Sequence, residues 1–371
     1  MNLGVAAALA LSLAVTACTG ANEVPSARVP APTSSPTPDR PPGPTPQEVI
    51  DDATARLGGF WLSASDPDVR VADWYVCAIS SCRKQRHALV VTGDGFATRN
   101  VVDLPAARYA FWVTAVGDRF VIRRGTRQYV LDEVGTLVEV DRQSGARGPL
   151  AAGETAVRAP VGVGWLAIDP VVARQHPLIT PAGLEQLLVA PGGELRGITD
   201  SRQYVVSDDG GRRWSAFPMP VSGSDLTDLL PAAGDVQGVM VGGDGATLFP
   251  WGKILRTDDG GRTWSSYDGP RDPTGYLGQG VVMADGSLVL EVIAWSDQRA
   301  VRPPRHPTGL FSSSDWSDLR APRRADRRIQ VLTMSVFQRT ASIWATGWHG
   351  RSDEVRRTDD GGLTWQVERA R

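Results

Sequence analysis

Three nearly identical octapeptides constrain this chain more than any other feature. "SDDGGRRW" runs from Ser207 to Trp214, "TDDGGRTW" from Thr257 to Trp264, and "TDDGGLTW" from Thr358 to Trp365. Each follows a short stretch of strand character, "QYVV", "GKILR" or "DEVRR", and each Trp leads into another. A motif between two such runs is a hairpin turn. The residue types suit that role. The hydroxyls of Ser207, Thr257 and Thr358 and the carboxylates of Asp209, Asp259 and Asp360 accept hydrogen bonds from turn N–H groups. Gly211, Gly261 and Gly362 take positive φ without a Cβ penalty. Trp214, Trp264 and Trp365 fold back as apolar plugs. Every position has a structural task, so the repeat reads as repeated architecture rather than a repeated catalytic centre. The "DDGG" core carries too few carboxylates for a calcium loop.

Between these turns lie short runs rich in Val, Ile, Leu, Trp and Tyr, punctuated by Gly, Asp and Pro, the pattern of many short antiparallel strands. The interval from Asp259 to Asp360 is about twice that from Asp209 to Asp259, which places a decayed copy near Asp315 in "LFSSSDWSDL". Weaker strand–Asp–turn matches occur at Asp94, Asp132 and Asp169. Seven anchors spaced by roughly 37 to 56 residues suit repeat units of about 40–50 residues.

The octapeptides resemble the Asp-box, or BNR repeat: Ser/Thr-x-Asp-x-Gly-x-Thr-Trp. The second and third copies match fully, and the first has Arg213 at the Thr position. Bacterial sialidases, photosystem II assembly factors and sortilin-type receptors share this motif within the sialidase-like and WD40/YVTN/BNR-like propellers. The resemblance implies an all-β fold, a single β-propeller of four-stranded blades with each box joining the third and fourth strands. Seven blades are expected over residues 46–371. A short helix at 46–57 should precede them, capped by Thr45 with Glu48, opened by Pro46 and stopped by Gly58 and Gly59.

The N-terminus speaks of location. "LGVAAALALSLAVTAC" is an apolar run of signal-peptide length, too short to span a bilayer well. Its end, Val15-Thr16-Ala17-Cys18, resembles the bacterial lipobox. That resemblance implies removal of residues 1–17, acylation of Cys18 with palmitate-like chains, and anchoring at the extracytoplasmic face of the cell membrane. Residues 18–45 are rich in Pro, Ser and Thr and cannot bury enough apolar surface to offset their ordering entropy, so they read as a tether. The other two cysteines, Cys77 and Cys82 in "CAISSC", are expected to form a small disulfide in this oxidising compartment. Only Lys84 and Lys253 are lysines among many arginines, which points to a GC-rich bacterial genome.

Composition narrows function. The 371 residues carry a net charge of −2, which excludes the basic excess of a nucleic-acid surface. No nucleophile elbow, HExxH or P-loop occurs. Sialidases resemble one another in an Arg-Ile-Pro element, an arginine triad and a late Tyr–Glu pair; here there is no Arg-Ile-Pro and no tyrosine after Tyr276. The leading expectation is therefore a non-enzymatic, monomeric propeller that needs no cofactor or metal and binds a protein or glycan at the cell surface. The alternative is an exo-sialidase-like or other glycoside hydrolase. Candidate binding residues come from loops between second and third strands: Trp251 and Lys253 in "FPWGK"; Arg299, Arg302, Arg305 and His306 in "SDQRAVRPPRHPT"; Trp348, His349 and Arg351 in "WHGRSD". Arginines and tryptophans converging on one mouth suit an anionic or sugar-like ligand. His87 and His176 read as surface or packing residues.

Overall fold

The computed structural model describes residues 45–77, 85–102, 104, 111–141, 146–159, 164–190, 192–222, 226–232, 234–242, 251–268, 275–294, 309–316, 323–324, 331–337, 342–347, 354–359, 364 and 366–369. All of them lie in one unit, Pro44–Arg371. Apart from one short helix, the elements are strands.

The strands form seven antiparallel sheets among the described residues, each drawn from one continuous stretch of chain. The first contains β1 (Arg56–Leu62), β2 (Arg70–Cys77), β3 (Gln85–Thr92) and β4 (Asn100–Val102). The second contains β5 (Phe111–Val116), β6 (Arg119–Arg124), β7 (Arg127–Leu131) and β8 (Leu137–Glu139). The third has three strands, β9 (Thr155–Arg158), β10 (Trp165–Asp169) and β11 (Arg174–Pro177). The fourth contains β12 (Leu184–Val189), β13 (Leu195–Thr199), β14 (Gln203–Ser207) and β15 (Ser215–Pro218). The fifth contains β16 (Leu226–Leu229), β17 (Gln237–Gly242), β18 (Trp251–Thr257) and β19 (Ser265–Asp268). The sixth contains β20 (Gly275–Val282), β21 (Leu288–Ala294), β22 (Gly309–Ser313) and β23 (Arg323–Arg324). The seventh contains β24 (Val331–Phe337), β25 (Ser342–Gly347), β26 (Glu354–Thr358) and β27 (Gln366–Arg369).

Strands with alternate residues facing opposite sides bury both faces when sheets stack side by side. The cores lie accordingly between consecutive sheets. Leu89, Val91, Phe120 and Ile122 join the first sheet to the second. Val121, Val130, Val157 and Ile168 join the second to the third. Ala167, Leu187 and Leu195 join the third to the fourth, and Tyr204, Val239 and Leu255 the fourth to the fifth. Met240, Ile254, Leu288 and Trp316 join the fifth to the sixth. Fully burying a Phe120-sized side chain contributes about 1.5–3 kcal/mol.

A further core closes the cycle. Phe60, Ala72 and Trp74 of the first sheet pack with Trp344 and Val355 of the seventh. Arg70 on β2 pairs with Glu368 on β27, and its guanidinium lies 5.5 Å from the Trp344 ring centroid. Trp344 Nε1 donates to the same Glu368 carboxylate at 3.3 Å. Among the described residues no strand is exchanged: β1 begins its own sheet and β27 ends the last.

The helix, α1, spans Pro46–Asp51, not 46–57. Its start is as the sequence dictates. Thr45 Oγ1 accepts from Glu48 N at 3.2 Å, and Glu48 Oε2 accepts from Thr45 N at 2.6 Å. Its end comes early because Asp52 is extended and its carboxylate accepts from Thr54 N at 2.7 Å. Gly58 and Gly59 belong to β1 instead. A Cβ on Gly58 would meet Tyr75 at 2.8 Å and the Asp73 carboxylate at 2.9 Å, so the cross-strand neighbours require glycine there.

The octapeptides at Ser207 and Thr257 join the third and fourth strands of their sheets, β14 to β15 and β18 to β19. Ser207 Oγ donates to Asp209 Oδ1 at 3.0 Å and accepts from Gly211 N at 2.8 Å. Thr257 Oγ1 repeats both bonds, with Asp259 at 2.9 Å and Gly261 at 2.8 Å. Asp259 then accepts from Thr263 N and Oγ1 at 2.9 and 2.7 Å. In the first copy Arg213 fills that place with its backbone N and its Nε, both at 2.9 Å from Asp209. These donors hold the Asp209 and Asp259 carboxyls down at about 2. Trp214 packs into the core between the third and fourth sheets, and Trp264 lies edge-on to Tyr204 at 5.4 Å. In the third copy Thr358 ends β26 and is buried, while Asp360, Gly362 and Trp365 lie outside the described residues.

Other anchors vary in kind. Asp94, Asp132 and Asp315 also lie between third and fourth strands. Asp94 has the full bonding pattern, Asp132 a simpler turn in which its Oδ1 accepts from Thr136 N at 2.7 Å. At Asp315 the neighbouring Ser313 Oγ accepts from Trp316 N at 2.9 Å. Asp169 differs: it caps the β10–β11 turn of the three-stranded sheet, where no third-to-fourth hairpin is present among the described residues.

Candidate functional site

The candidate binding residues divide sharply. Trp251 opens β18, and Lys253 stands exposed on the same strand opposite Asp268. Arg299, Arg302, Arg305, His306, Trp348, His349 and Arg351 lie outside the described residues, as do Cys18 and the whole leader and tether. Cys77 ends β2 and is disulfide-bonded, while Cys82 lies outside the described residues.

The described chemistry gathers instead on the first three sheets. Hydrophobic alternation aims β2 and β3 residues at the second sheet: Val71, Leu89 and Val91 all join that core. Asp73 and His87 follow the same alternation. His87 Nδ1 lies 3.0 Å from both Asp73 carboxylate oxygens, and the His87 ring centroid is 5.8 Å from that of Tyr75. Burial pushes the Asp73 carboxyl above its ordinary value, opposed by His87 and by Arg124 from β6. The first seam thus carries a buried polar group among apolar walls. His176 on β11 is also engaged, with Nε2 at 3.2 Å from Glu154 and Nδ1 at 3.1 Å from the Pro177 carbonyl. Both histidines are half-buried and partnered, in keeping with a packing role.

The next seam, between the second and third sheets, is more open. Trp112 on β5 is the register partner of Arg123 on β6. The Arg123 guanidinium lies 4.1 Å from the Trp112 ring centroid, within cation–π range. Its Nη1 donates to the backbone carbonyl of Arg158 on β9 at 3.3 Å. Trp112 remains 57% exposed, the one exposed aromatic among the large apolar side chains described. Partial burial and the positive Arg158 beside it hold Arg123 below its ordinary value. Among the described residues, no carboxylate forms an ion pair with Arg123 or Arg158. An exposed indole with an arginine guanidinium stacked on it and no carboxylate paired to that arginine is equipped to receive an anion carrying a planar or apolar group.

Sequence reading missed this place because "FWVTAV", "VIRRG" and "AVRAP" look like ordinary strands. Only the register brings Trp112 beside Arg123, and only the stacking of sheets brings the Arg158 carbonyl to Arg123. A cavity of about 40 Å³ between the fourth and fifth sheets is a weaker candidate. Its Arg196 is already taken up by Glu194 at 2.7 Å and the Gly234 carbonyl at 2.9 Å.

No protein-family model matches the sequence, and no curated protein does. Solved structures match the fold. The chain is similar to the β-propeller domain of the Trilobed protease from Pyrococcus furiosus, which has an open velcro topology. The TM-score is 0.53 at 9% identity, over 85% of this chain and 97% of that one. It is also similar to puromycin hydrolase, with a TM-score of 0.53 at 12% identity, over 85% of this chain and 54% of that one. These likenesses establish a β-propeller and nothing finer.

Proposed function

We propose that this chain is a lipid-anchored surface protein whose Asp-box propeller, seven-bladed, binds a protein or glycan partner without catalysing a reaction. The observation that carries the binding role is the Arg123 guanidinium stacked on the exposed Trp112 indole, with no carboxylate ion-paired to it among the described residues. A structural surface would pair or solvate such charges singly; a recognition surface clusters an aromatic anchor with arginine. The seven contiguous sheets support the blade count. The apolar leader ending in Cys18 and the Pro-rich tether support display at the membrane face. The disulfide state of Cys77 agrees with an oxidising compartment and with Cys82 as its partner.

The test is a glycan-array screen, a fluorogenic sialoside assay and cell-surface cross-linking, all on the full chain. Selective binding without turnover is the expected result. Turnover of the sialoside would replace this reading with the glycoside-hydrolase alternative. Silence in all three would remove the binding reading. Metabolic labelling with a palmitate analogue should mark the wild type and not Cys18→Ser; equal labelling of both would refute the anchor.

A further inference from the structure

Charge is divided between the two ends of the first three sheets. Ser63 Oγ donates to the Gly117 carbonyl at 2.6 Å, so the β1–β2 and β5–β6 turns stand at one end. Arg119 Nη1 donates to the Pro170 carbonyl at 2.8 Å, which brings the β10–β11 turn to that end. Antiparallel order puts the β3–β4 and β7–β8 turns there too. In these turns Asp66, Asp94, Asp118, Asp132, Glu133 and Asp169 outnumber Arg99, Arg119 and Arg174, and Asp68 is paired with the buried Arg70.

The other end is basic. β1 opens there on Arg56, β3 carries Arg86 as its second residue, and Arg123, Arg124 and Arg127 flank the β6–β7 turn. Arg123 Nη1 reaches the Arg158 carbonyl, so β9 ends there as well. The side chains of Arg56, Arg86, Arg127 and Arg158 are exposed. The strands from β1 to β9 carry two carboxylates, Asp73 and Glu139. The first is buried against His87, and the second is paired with Arg127 at 3.5 Å. Trp112 stands among these arginines, one residue after β5 begins, stacked with Arg123 and largely exposed.

We infer that the basic end of the first three sheets docks on an anionic lipid surface, with Trp112 at headgroup depth and Arg56, Arg86, Arg123, Arg127 and Arg158 over lipid phosphates. Arginines spread along three sheets do not converge on one small anion; an extended anionic layer meets them all at once. Guanidiniums pair with phosphate, and an indole favours the headgroup region. The chain path favours the same occupant. The segment ahead of Thr45 joins the body through α1, and α1 leads within five residues to Arg56 at the basic end. Fully extended, residues 18–45 reach at most ~100 Å, which leaves this end free to turn to the bilayer. The inference rests on the membrane display proposed above and adds an orientation to it. The acidic turns face away from the bilayer, and a partner reaches Trp112 when the body lifts off.

The test places the full chain with vesicles of phosphatidylcholine, alone or mixed with phosphatidylglycerol, brominated at the top of their acyl chains. The readout is the tryptophan quenching lost in Trp112→Phe, a difference in which the other tryptophans and the anchor cancel. It should be at least ~5-fold larger on the anionic vesicles. It should vanish at about 1 M salt, where the Debye length falls to ~3 Å. Arg86→Gln, at an exposed position on the first sheet rather than the second, should weaken docking about fivefold. Glu133→Gln, at the acidic end, should leave it unchanged. Equal quenching on both vesicles, or wild-type quenching by Arg86→Gln, would overturn the docking surface. Retention on immobilised heparin without quenching on anionic vesicles would overturn the lipid assignment in favour of a polyanionic glycan. Anionic quenching with no palmitate label at Cys18 would keep the docking surface and remove the anchor. A partner found on the glycan array or by cross-linking, with no anionic quenching, would sink the docking surface and leave the binding role standing.

Discussion

The turn at Thr92–Thr98 and the turn at Thr257–Thr263 make the same hydrogen bonds from different sequences. Thr92 Oγ1 donates to Asp94 at 2.8 Å, as Thr257 does to Asp259 at 2.9 Å. Asp94 accepts from Thr98 N and Oγ1 at 2.7 and 2.8 Å, as Asp259 does from Thr263. Yet where the second turn has Gly261 at φ 93°, the first has Phe96 at φ 76°. Phe96 tolerates that backbone because its ring is buried against Phe60, 6.0 Å away, and lies under the Arg70 guanidinium. At Gly261 the space is already filled: a Cβ there would stand 2.3 Å from Tyr204 Cδ1. The turn itself demands a hydroxyl, a carboxylate and a left-handed residue. The neighbouring sheet decides whether that residue has a side chain.

That contrast can be broken at several points. Phe96→Ala should cost most, about 3–5 kcal/mol in urea unfolding, because it empties a core site without relieving the backbone. A loss under 1 kcal/mol would mean the ring does not offset the strain. Gly261→Ala should cost about 2–4 kcal/mol from overpacking and positive φ together, whereas Gly260→Ala, at φ 71° with nothing within 4 Å, should cost about 1–2 kcal/mol from φ alone. Equal losses would show that the Tyr204 contact is unimportant. Thr257→Val and Thr92→Val should each cost about 1–3 kcal/mol, and by the same amount, since each strands one buried N–H. The smallest effect is with pH. Asp209 and Asp259 have folded values depressed from 3.8 to about 2, so their contribution is complete above the ordinary value and is lost as pH falls from about 4 to about 2. Asp209→Asn should flatten that part of the stability–pH curve; an unchanged slope would refute the assignment.

Much of the fold was legible because it is local. Strand, hydroxyl, carboxylate and glycine follow one another within eight residues, so the hairpins at Ser207 and Thr257 could be read directly, and the spacing carried the rest of the ring. The cryptic turn at Asp94 was legible despite losing a glycine, because its Thr and Asp remained. The helix was misjudged for the opposite reason: Leu57 continues a plausible amphipathic pattern and Gly58 and Gly59 read as its stop, but long-range pairing of Leu57 with Trp74 and of Gly59 with Asp73 claims this stretch for β1. The stacking of Arg123 on Trp112 was invisible for the same cause. The two residues come from two ordinary strand runs, β5 and β6, and nothing local in either announces the register that pairs them.

Among the described residues the ring closes without a shared strand, and this bears on how such a chain can be inherited. Each sheet is one uninterrupted stretch, and the first and last meet through Arg70, Glu368 and Trp344 rather than through a common ladder. A duplication or deletion of one stretch would therefore add or remove a whole unit without cutting any backbone pairing, and only the closing contact would have to be rebuilt. Copies made in this way are free to drift apart as long as each keeps its turn and its fit to two neighbours. The uneven preservation among Thr92, Ser207, Thr257 and Ser313 is the record that such a history would leave.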